Sequence, residues 1–401
     1  MNRSNDTLKT QWTKLIGITM VHFLTDTLAG MFPAVMPDIM REFKWDLPTA
    51  NMVFSILIIV CNAGQVLICN LRQHNSKPFF LQFGICAGAA ICFLCFLAGV
   101  PGAFYIMCAL AVITGCGIAA AHPEGLRAVH DLDDIPSPIS TAVFMTGGAF
   151  GFASGGLIGS YFVTLFGLKG LLCFIIPAIV SVIIVYLLKI QLAVEPAVKD
   201  NAEQIEHIEH KTAMSFWPIF WMAVASTTAS VILIFLLPTR LQQLGFDRNF
   251  GGFSTMMFGM GGAVGSLVWS IVANRKGQLA VASISFFLGV PIMLVYLLLM
   301  DHRLAVYLLF ASGFCSWAGF PLLVSISRKA RGLTLGMRMG LMVGGSWGIS
   351  AVFEMLLVYI AQPLAIDVNT LLYFTPTCFT IASFLGLMIM LNRRKKGFPQ
   401  I

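Results

Sequence analysis

A succession of long apolar stretches, separated by short polar segments, is the feature of this chain that most restricts its fold. Each stretch is about 20 residues long, the length that an α-helix needs to cross the hydrocarbon core of a bilayer. Only 11% of the 401 residues are charged, whereas a typical soluble domain has about 25%. Because too few charged side chains are present to cover a water-exposed surface, a cytosolic enzyme, a secreted disulfide scaffold and a disordered chain are excluded.

Twelve such stretches can be counted. They are too long for barrel strands and lack strict alternation, so helices are the structure that satisfies the backbone inside lipid. We therefore predict an all-α membrane protein of twelve transmembrane helices in two six-helix pseudo-symmetric bundles. The predicted spans are 15–36, 50–70, 79–99, 103–127, 138–165, 168–189, 215–238, 250–273, 279–299, 303–327, 334–361 and 369–391.

The Lys and Arg residues predict how the chain is oriented. With both termini in the cytoplasm, 18 of the 25 basic residues fall inside or at the inner edge and six fall outside, in agreement with the positive-inside rule. The net charge of +7 then reflects topology and contact with anionic lipid, not nucleic-acid binding. The first span lacks a small-residue cleavage site, so no signal peptide is expected. We predict a multi-pass protein of the cell (inner or plasma) membrane.

A hydrophilic segment divides the spans six and six. It covers residues 190–214, which predicts an N-terminal bundle over 1–189, a cytoplasmic linker over 190–214 and a C-terminal bundle over 215–401. The sequence Met-Thr-Gly-Gly-Ala-Phe-Gly at 145–151 matches Met-Val-Gly-Gly-Ser-Trp-Gly at 342–348, an offset of 197 residues. Parallel repeats of six spans are typical of transporters that bind their solute between the halves and work by alternating access.

Glycines recur every four residues on two equivalent spans. They are Gly147, Gly151, Gly155 and Gly159 on the fifth span, and Gly336, Gly340, Gly344 and Gly348 on the eleventh. Small residues at this spacing allow two helix backbones to approach closely. The paired rows predict close helix contacts that slide during transport, with static packing as the alternative.

The first span carries two ionisable side chains on one face, His22 and Asp26, four residues apart. An ionisable group within a span costs several kcal/mol unless it is paired or wetted, so it is a functional candidate. Asp26 lies near mid-depth and is predicted to be the main protonation site, with His22 tuning it. The alternative is an ion pair that only holds helices together.

The fourth span ends in Ala-His-Pro-Glu-Gly-Leu-Arg at 121–127. Glu124 and Arg127 are three residues apart and are predicted to pair along the helix. His122 points away from Glu124 and is a candidate for solute binding or gating. We also expect Asp26 and Arg127 to approach one another, forming a pair that breaks when Asp26 is protonated. The alternative for Arg127 is a membrane anchor at the inner edge.

The second half offers weaker candidates for solute binding or gating, and for each of them lipid contact or packing is the alternative. They are Arg338, Glu354, Trp317 and Trp347. The ten cysteines show no metal-ligand spacing, and neither a metal nor a cofactor is expected.

Twelve spans in two similar halves resemble the major facilitator superfamily. Within it, His22 and Asp26, together with His122, Glu124 and Arg127, are similar to the fosmidomycin-resistance branch of drug exporters. The superfamily's usual Gly-x-x-x-Asp-Arg-x-Gly loop is altered here at 70–77, which has no acid or glycine. Export motifs in the fifth span normally include Gly-Pro, whereas this chain has Gly-Gly at 155–156.

These observations together predict a proton-coupled secondary transporter of a small organic solute, with efflux slightly favoured and membrane lipid around a monomer. A proton symporter that imports an anionic metabolite, with Arg127 and Arg338 as charge partners, is the alternative. A membrane-embedded enzyme or sensor is disfavoured because no nucleophile motif, phosphate loop or zinc spacing is present.

Overall fold

Helices make up nearly all of the computed structural model, which describes residues 2–68, 75–135, 137–193, 214–328, 330–333 and 335–395. The predicted all-α class is confirmed. The chain packs as two compact units: the first is Met1–Glu195 with Asp247–Met256, and the second is Pro196–Phe246 with Met257–Ile401. The first change of unit lies inside the predicted linker, while the domain boundaries at 189 and 215 stay predictions.

The first unit contains these helices among its described residues: α1 (Asn2–Gly30), α2 (Phe32–Phe43), α3 (Leu47–Ile68), α4 (Phe79–Gly88), α5 (Ala103–His130), α6 (Ser137–Phe166) and α7 (Ile175–Leu187). Two 3₁₀ segments, Ala90–Phe96 and Gly167–Phe174, follow α4 and α6. Helix α1 packs chiefly on α6 and also contacts α5, and α5 packs on α3 and α4. These contacts bring side chains of α1 and α5 together at the candidate site.

Helices α1 and α6 approach each other through a row of glycines. A Cβ atom on Gly155 would lie only 2.7 Å from the Thr27 carbonyl oxygen, and one on Gly159 would lie 2.7 Å from Met31 Cβ. Distances this short leave no room for any side chain, so only glycine permits the contact. The predicted close contact on the fifth span is therefore confirmed, whereas the sliding of the two helices stays a prediction.

Eleven apolar helical stretches of the described chain are long enough to cross a membrane. One of them, Val143–Leu187, is 45 residues long and covers most of both the fifth and the sixth predicted spans. A straight helix of that length would be about twice as long as the bilayer core is thick. Gly167, with φ of 62°, ends α6, and Gly170 then packs against the carbonyl of Phe162. The count of twelve spans stays a prediction.

The second unit contains the remaining described helices: α8 (Phe216–Gln243), most of α9 (Arg248–Lys276), α10 (Gln278–Leu299), α11 (Val306–Ser316), α12 (Gly319–Arg328), α13 (Leu335–Gly340), α14 (Ser346–Ala361), α15 (Val368–Leu372) and α16 (Phe374–Lys395). The predicted tenth span is interrupted between α11 and α12. The predicted eleventh span contains a π-helical turn at Leu341–Gly345 between α13 and α14.

Helices α8 and α14 meet through hydroxyl groups. The Ser350 hydroxyl lies 2.8 Å from that of Thr227 and 2.9 Å from that of Thr228. All three side chains are buried. Hydrogen bonds between buried hydroxyls join helices inside a membrane at about 1 kcal/mol each, so this cluster holds the second unit together.

The ends of the predicted linker are bonded to loops of their own unit. In the first unit, the Leu192 amide donates to the Ser76 carbonyl at 2.9 Å, and the Ala193 amide donates to the Arg127 carbonyl at 3.1 Å. In the second unit, the Arg331 amide donates to the Met214 carbonyl at 2.8 Å. Residues 194–213, with most of the predicted linker, lie outside the described residues.

Candidate functional site

Three titratable side chains meet between α1 and α5. The Asp26 carboxylate Oδ1 lies 2.7 Å from Nε2 of His122, and its Oδ2 lies 3.3 Å from Nε2 of His22. His22 and Asp26 are one helical turn apart on α1, which is why both face α5. The predicted pairing of His22 with Asp26 is observed, but His122, predicted only as a candidate for solute binding or gating, is the nearest partner of Asp26.

Backbone carbonyls fix the hydrogen on both imidazole rings. Nδ1 of His122 lies 2.8 Å from the Ile118 carbonyl oxygen, and Nδ1 of His22 lies 2.9 Å from the Phe144 carbonyl oxygen. Because a carbonyl oxygen only accepts, each Nδ1 must donate. The Nε2 atoms of both rings therefore point at Asp26 and are the positions where a proton is gained or lost.

Helix α6 provides the space for this cluster. A Cβ atom on Gly148 would lie 2.5 Å from Asp26 Oδ2 and from His22 Nε2, so the two side chains occupy the room that glycine leaves. The Phe144 ring stacks on His22 with ring centroids 4.0 Å apart. The sequence analysis did not list either residue as a site residue. Gly148 belongs to the repeated glycine motif, whereas a carbonyl contact such as that of Phe144 leaves no signal in a sequence.

The cluster is partly accessible. The side chains of Asp26 and His122 are 18% and 20% exposed, whereas His22 is 5% exposed. A small pocket beside them is lined by Thr25, Phe144 and the two histidines, among others. Asp26 and His122 thus combine partial burial with an exposed edge, as a group that exchanges protons requires.

The three ligand atoms lie within 4.8 Å of one another, so the group has metal-ligand spacing. However, Asp26 Oδ1 and His122 Nε2 are in direct hydrogen-bond contact at 2.7 Å, which leaves no room for an ion between these two atoms. The arrangement fits a shared hydrogen better than a metal ion.

A second buried acid, Asp38 on α2, has partners of a different kind. Its carboxylate is 3% exposed and is bound by the guanidinium groups of Arg41 and Arg248. Arginine does not lose its proton in proteins, so neither partner of Asp38 can take up or release a proton. Both partners of Asp26 are histidines, which exchange protons near neutral pH. The contrast favours Asp26 over Asp38 as the proton carrier.

The predicted pairs at the end of the fourth span are wrong. The Glu124 carboxylate accepts the Leu81 amide at 2.8 Å, and it does not pair with Arg127. Arg127 donates from Nη2 to the carbonyls of Ala193 and Asn75 at 2.8 and 2.7 Å, and it does not approach Asp26. Arg127 lies near the end of α5, and its guanidinium group donates hydrogen bonds to carbonyls of the neighbouring loops. His122 and Glu124 have different partners, as their helical spacing predicts.

Arg338 and Glu354 are buried in the second unit. Arg338 is 7% exposed and donates to the carbonyls of Leu333 and Arg328 at 2.7 and 3.0 Å. The guanidinium group closes a loop of its own chain, which disfavours the alternative of contact with lipid headgroups, and a role of Arg338 in solute binding or gating stays a prediction. Glu354 is fully buried on α14, which agrees with a packed acid.

Trp317 and Trp347 belong to a chain of four aromatic rings in the second unit. Trp317 lies 5.2 Å from Phe258 and 6.4 Å from Trp347, and Trp347 lies 6.2 Å from Phe320, between ring centroids. Both indoles are partly exposed. The structure therefore brings the two predicted tryptophans together.

Comparison with known proteins places these observations in a family. Residues 18–353 match the sequence profile of the Major Facilitator Superfamily. The chain is 23% identical to the fosmidomycin resistance protein of Escherichia coli (strain K12) over 176 residues, which cover 44% of this chain and 43% of that protein. It is 24% identical to the uncharacterized MFS-type transporter YfnC of Bacillus subtilis (strain 168) over 396 residues, which cover 94% and 92%. The resemblance drawn from the sequence is confirmed.

Solved structures share the architecture. A bacterial homologue of the human lysosomal transporter Spinster, in an inward-facing and unoccupied conformation, has a TM-score of 0.66 at 13% identity, covering 95% of this chain and 98% of that chain. The peptide transporter POT in complex with sulfate has a TM-score of 0.71 at 11% identity, covering 95% and 94%. At such identities the likeness shows the fold alone.

Proposed function

Because this chain belongs to the Major Facilitator Superfamily, a family of transport proteins rather than enzymes, we propose that it exchanges protons for a small organic solute by alternating access. Asp26 carries the proton, His122 is its partner, and His22 tunes the pair. The protein works as a monomer in the cell membrane with both termini in the cytoplasm. The excess of Lys and Arg in the segments assigned to the inner side supports this orientation.

One observation carries the proposal, the 2.7 Å contact between Asp26 Oδ1 and His122 Nε2. His122 already donates from Nδ1 to the Ile118 carbonyl. If Nε2 had no hydrogen and Asp26 were ionised, two lone pairs would face each other at hydrogen-bond distance, which is repulsive. The contact therefore requires one shared hydrogen, as an imidazolium with a carboxylate or as an imidazole with a carboxylic acid.

Loss of that hydrogen explains how proton transfer is coupled to movement. Without it the bond between α1 and α5 becomes repulsive, and a charge is left at a poorly hydrated site, which costs several kcal/mol. The conformation that separates Asp26 from His122 and wets the carboxylate is then favoured. A solute that binds this second conformation better thus exchanges with the proton.

Export of the solute is favoured over import. Import of an anionic metabolite needs cationic groups available to the solute. Arg127 and Arg338 are the predicted charge partners, and both guanidinium groups donate to backbone carbonyls of their own unit. The similarity to the fosmidomycin resistance protein of E. coli also makes fosmidomycin the first solute to test.

The test uses purified protein in liposomes that contain a pH-sensitive dye. Addition of fosmidomycin, or of another solute from a panel of antibiotics and metabolites, should release protons from vesicles of acidic interior as the solute enters. In Asp26→Asn, which keeps the shape of the side chain but carries no exchangeable charge, this flux should fall on the order of 100-fold.

The matched control is Asp301→Asn, because Asp301 is an exposed acid whose contact is with its neighbour His302 at 3.9 Å. This variant should move protons like the wild type. Flux through Asp26→Asn at the wild-type rate would refute the assignment. If the wild type carries solute from the panel without moving protons, coupling is absent and the proposal fails.

A further inference from the structure

The internal repeat places an aromatic ring in the second unit where the first unit has His122. Pro123 and Pro321 are equivalent, with an offset of 198 residues, so Phe320 takes the position of His122. The glycine motifs are equivalent at an offset of 197, which places Gly345 at the position of Gly148. Trp347 lies two residues beyond this glycine, at the position of Phe150. A position that holds an imidazole in one unit therefore holds an aromatic ring in the other.

These rings form a continuous apolar surface from three helices. Phe258 on α9 is fully buried and forms its base. Trp317, Phe320 and Trp347 are partly exposed and continue from it, with neighbouring ring centroids 5.2 to 6.4 Å apart. Aromatic rings at these separations pack in tilted and edge-to-face arrangements and offer a further ring the same geometry.

The backbone is irregular where the rings are attached. Trp317 stands in the interruption between α11, which ends at Ser316, and α12, which begins at Gly319. Trp347 follows the π-helical turn Leu341–Gly345. Single π-helical turns are frequent at functional sites, and solute sites of transporters are often built on discontinuous helices.

We infer that Phe258, Trp317, Phe320 and Trp347 form a subsite that binds a planar aromatic ring of the transported solute. Small-molecule pockets are lined mainly by apolar and aromatic side chains, and ring stacking selects a flat partner over a saturated one. The inference rests on the proposed function only in naming the ligand as the transported solute. In this arrangement the first unit binds the proton, and the second unit binds the aromatic ring of the solute.

Binding is measured by calorimetry on the purified full-length protein in detergent, with three probes. N-methylquinolinium and naphthalene-2-sulfonate are planar aromatic ions of opposite charge, and cyclohexanesulfonate is a saturated anion. The aromatic probes should bind at least about tenfold more tightly than the saturated one. Binding of a single aromatic ion also supports the subsite and adds a charge preference. Failure of both to bind, or equal binding of cyclohexanesulfonate, would overturn it.

Variants locate the binding within the molecule. Trp347→Leu and Phe320→Leu should each weaken aromatic binding about tenfold, whereas Trp347→Phe should keep most of it. The matched control is Trp269→Leu, since the Trp269 indole donates to the Phe314 carbonyl at 2.9 Å and lies outside the four rings. An equal loss in the control would mean that the effect is structural and would refute the subsite. A monodisperse elution profile shows that each variant is folded.

Asp26→Asn separates this inference from the proposed function. The preference for aromatic over saturated probes should be kept in this variant, because the four rings belong to the other unit, while the absolute affinity follows the conformation that Asp26 favours. If aromatic binding is present while no solute moves protons, the proposed function fails and the ring site stands. If protons are moved by solutes and none of the aromatic probes binds, the ring site fails and the proposed function stands.

Discussion

The helix pair α1 and α6 in the first unit and the pair α8 and α14 in the second occupy equivalent places in the repeat but are joined differently. Glycines such as Gly155 bring the first pair into backbone contact. The second pair is joined by hydroxyl groups, with Ser350 bonded to Thr227 and Thr228. Hydrogen bonds cross the first pair as well, from Nδ1 of His22 to the Phe144 carbonyl and from the Thr27 hydroxyl to the Gly151 carbonyl. The two pairs therefore differ in backbone distance, and sliding of the first pair stays a prediction.

The two units also differ in the chemistry that each shows at the same register. His122 in the first unit and Phe320 in the second stand directly before equivalent prolines. The two halves share prolines and glycines, while the neighbouring side chains differ: a cluster of His22, Asp26 and His122 lies in the first unit and an aromatic cluster lies in the second. An internal repeat therefore predicts where a site lies but not what the site binds.

The largest effect should come from filling the glycine on which the proton site depends. In Gly148→Ala the new methyl group would lie 2.5 Å from Asp26 Oδ2, so the carboxylate and His22 must move. Overpacking of this kind costs about 1–3 kcal/mol of stability, and the displaced cluster should reduce proton flux at least about tenfold. Flux in liposomes and thermal unfolding measure the two effects.

The equivalent change in the second unit is its matched control. A Cβ atom on Gly345 would first meet Leu341 Cδ2 at 3.2 Å, and Leu341 is a flexible side chain. Gly345→Ala should therefore leave proton flux close to the wild-type value. An equal loss of proton flux in Gly148→Ala and Gly345→Ala would show that both glycines serve packing alone. This result would contradict the proposed difference between the two units.

A smaller difference is expected between the two histidines. A hydrogen bond to a charged group contributes about 1.5–3 kcal/mol, and His122 makes the shorter contact with Asp26, 2.7 Å against 3.3 Å for His22. His122→Asn should reduce proton-coupled flux about tenfold or more, and His22→Asn should reduce it less. The ratio of the two initial rates is the measurement. A larger loss from His22→Asn would reverse the roles proposed for the pair.

The smallest effect concerns a helix cap in the second unit that should leave both sites unchanged. The Asp367 carboxylate accepts the Thr370 amide at 2.7 Å, and hydrogen bonds from the side chain and the amide of Thr370 lower the pKa of Asp367. A lowered pKa in the folded state stabilises the protein above the unfolded pKa of about 3.9, and this contribution is lost as pH falls through the folded pKa.

Asp367→Ala should cost about 1 kcal/mol or less at pH 7, because Asp367 is highly exposed. Asp367→Asn should keep the cap and remove its dependence on acid, since an amide oxygen also accepts the Thr370 amide. Thermal unfolding of the three proteins at pH 7 and at the lowest pH that they tolerate measures the effect. Reduced proton flux in either variant would show that the cap influences a site, contrary to expectation.

Much of the fold could be predicted from the sequence because lipid imposes a simple rule. A run of about 20 apolar residues must be helical, and the repeated glycine motif reveals the duplication. The fifth and sixth spans were harder to separate, since the turn at Gly167 is short and its neighbours are apolar. The interruptions at Trp317 and at 341–345 were not predicted, because they follow from packing between helices and not from local composition.

The candidate site was predicted only in part. The spacing of His22 and Asp26 placed them on one face, since residues four apart on a helix share a face. The partner of Asp26 was predicted wrongly as Arg127, because opposite charges suggest pairing and a single sequence does not show how α5 is rotated. In the structure His122 faces Asp26, and Arg127 is used by loop carbonyls that no pattern of side chains reveals.

The hydrogen shared by Asp26 and His122 makes the protein observable while its cargo is unidentified. A carboxylic acid and a carboxylate absorb infrared light at separate frequencies, and an imidazolium differs from an imidazole in its nitrogen resonances. A difference spectrum of the wild type against Asp26→Asn would isolate these bands from the remaining acids. In heavy water, the exchange of this hydrogen for deuterium would shift these infrared bands. The time course of the shift would then report how often the shared proton is exchanged.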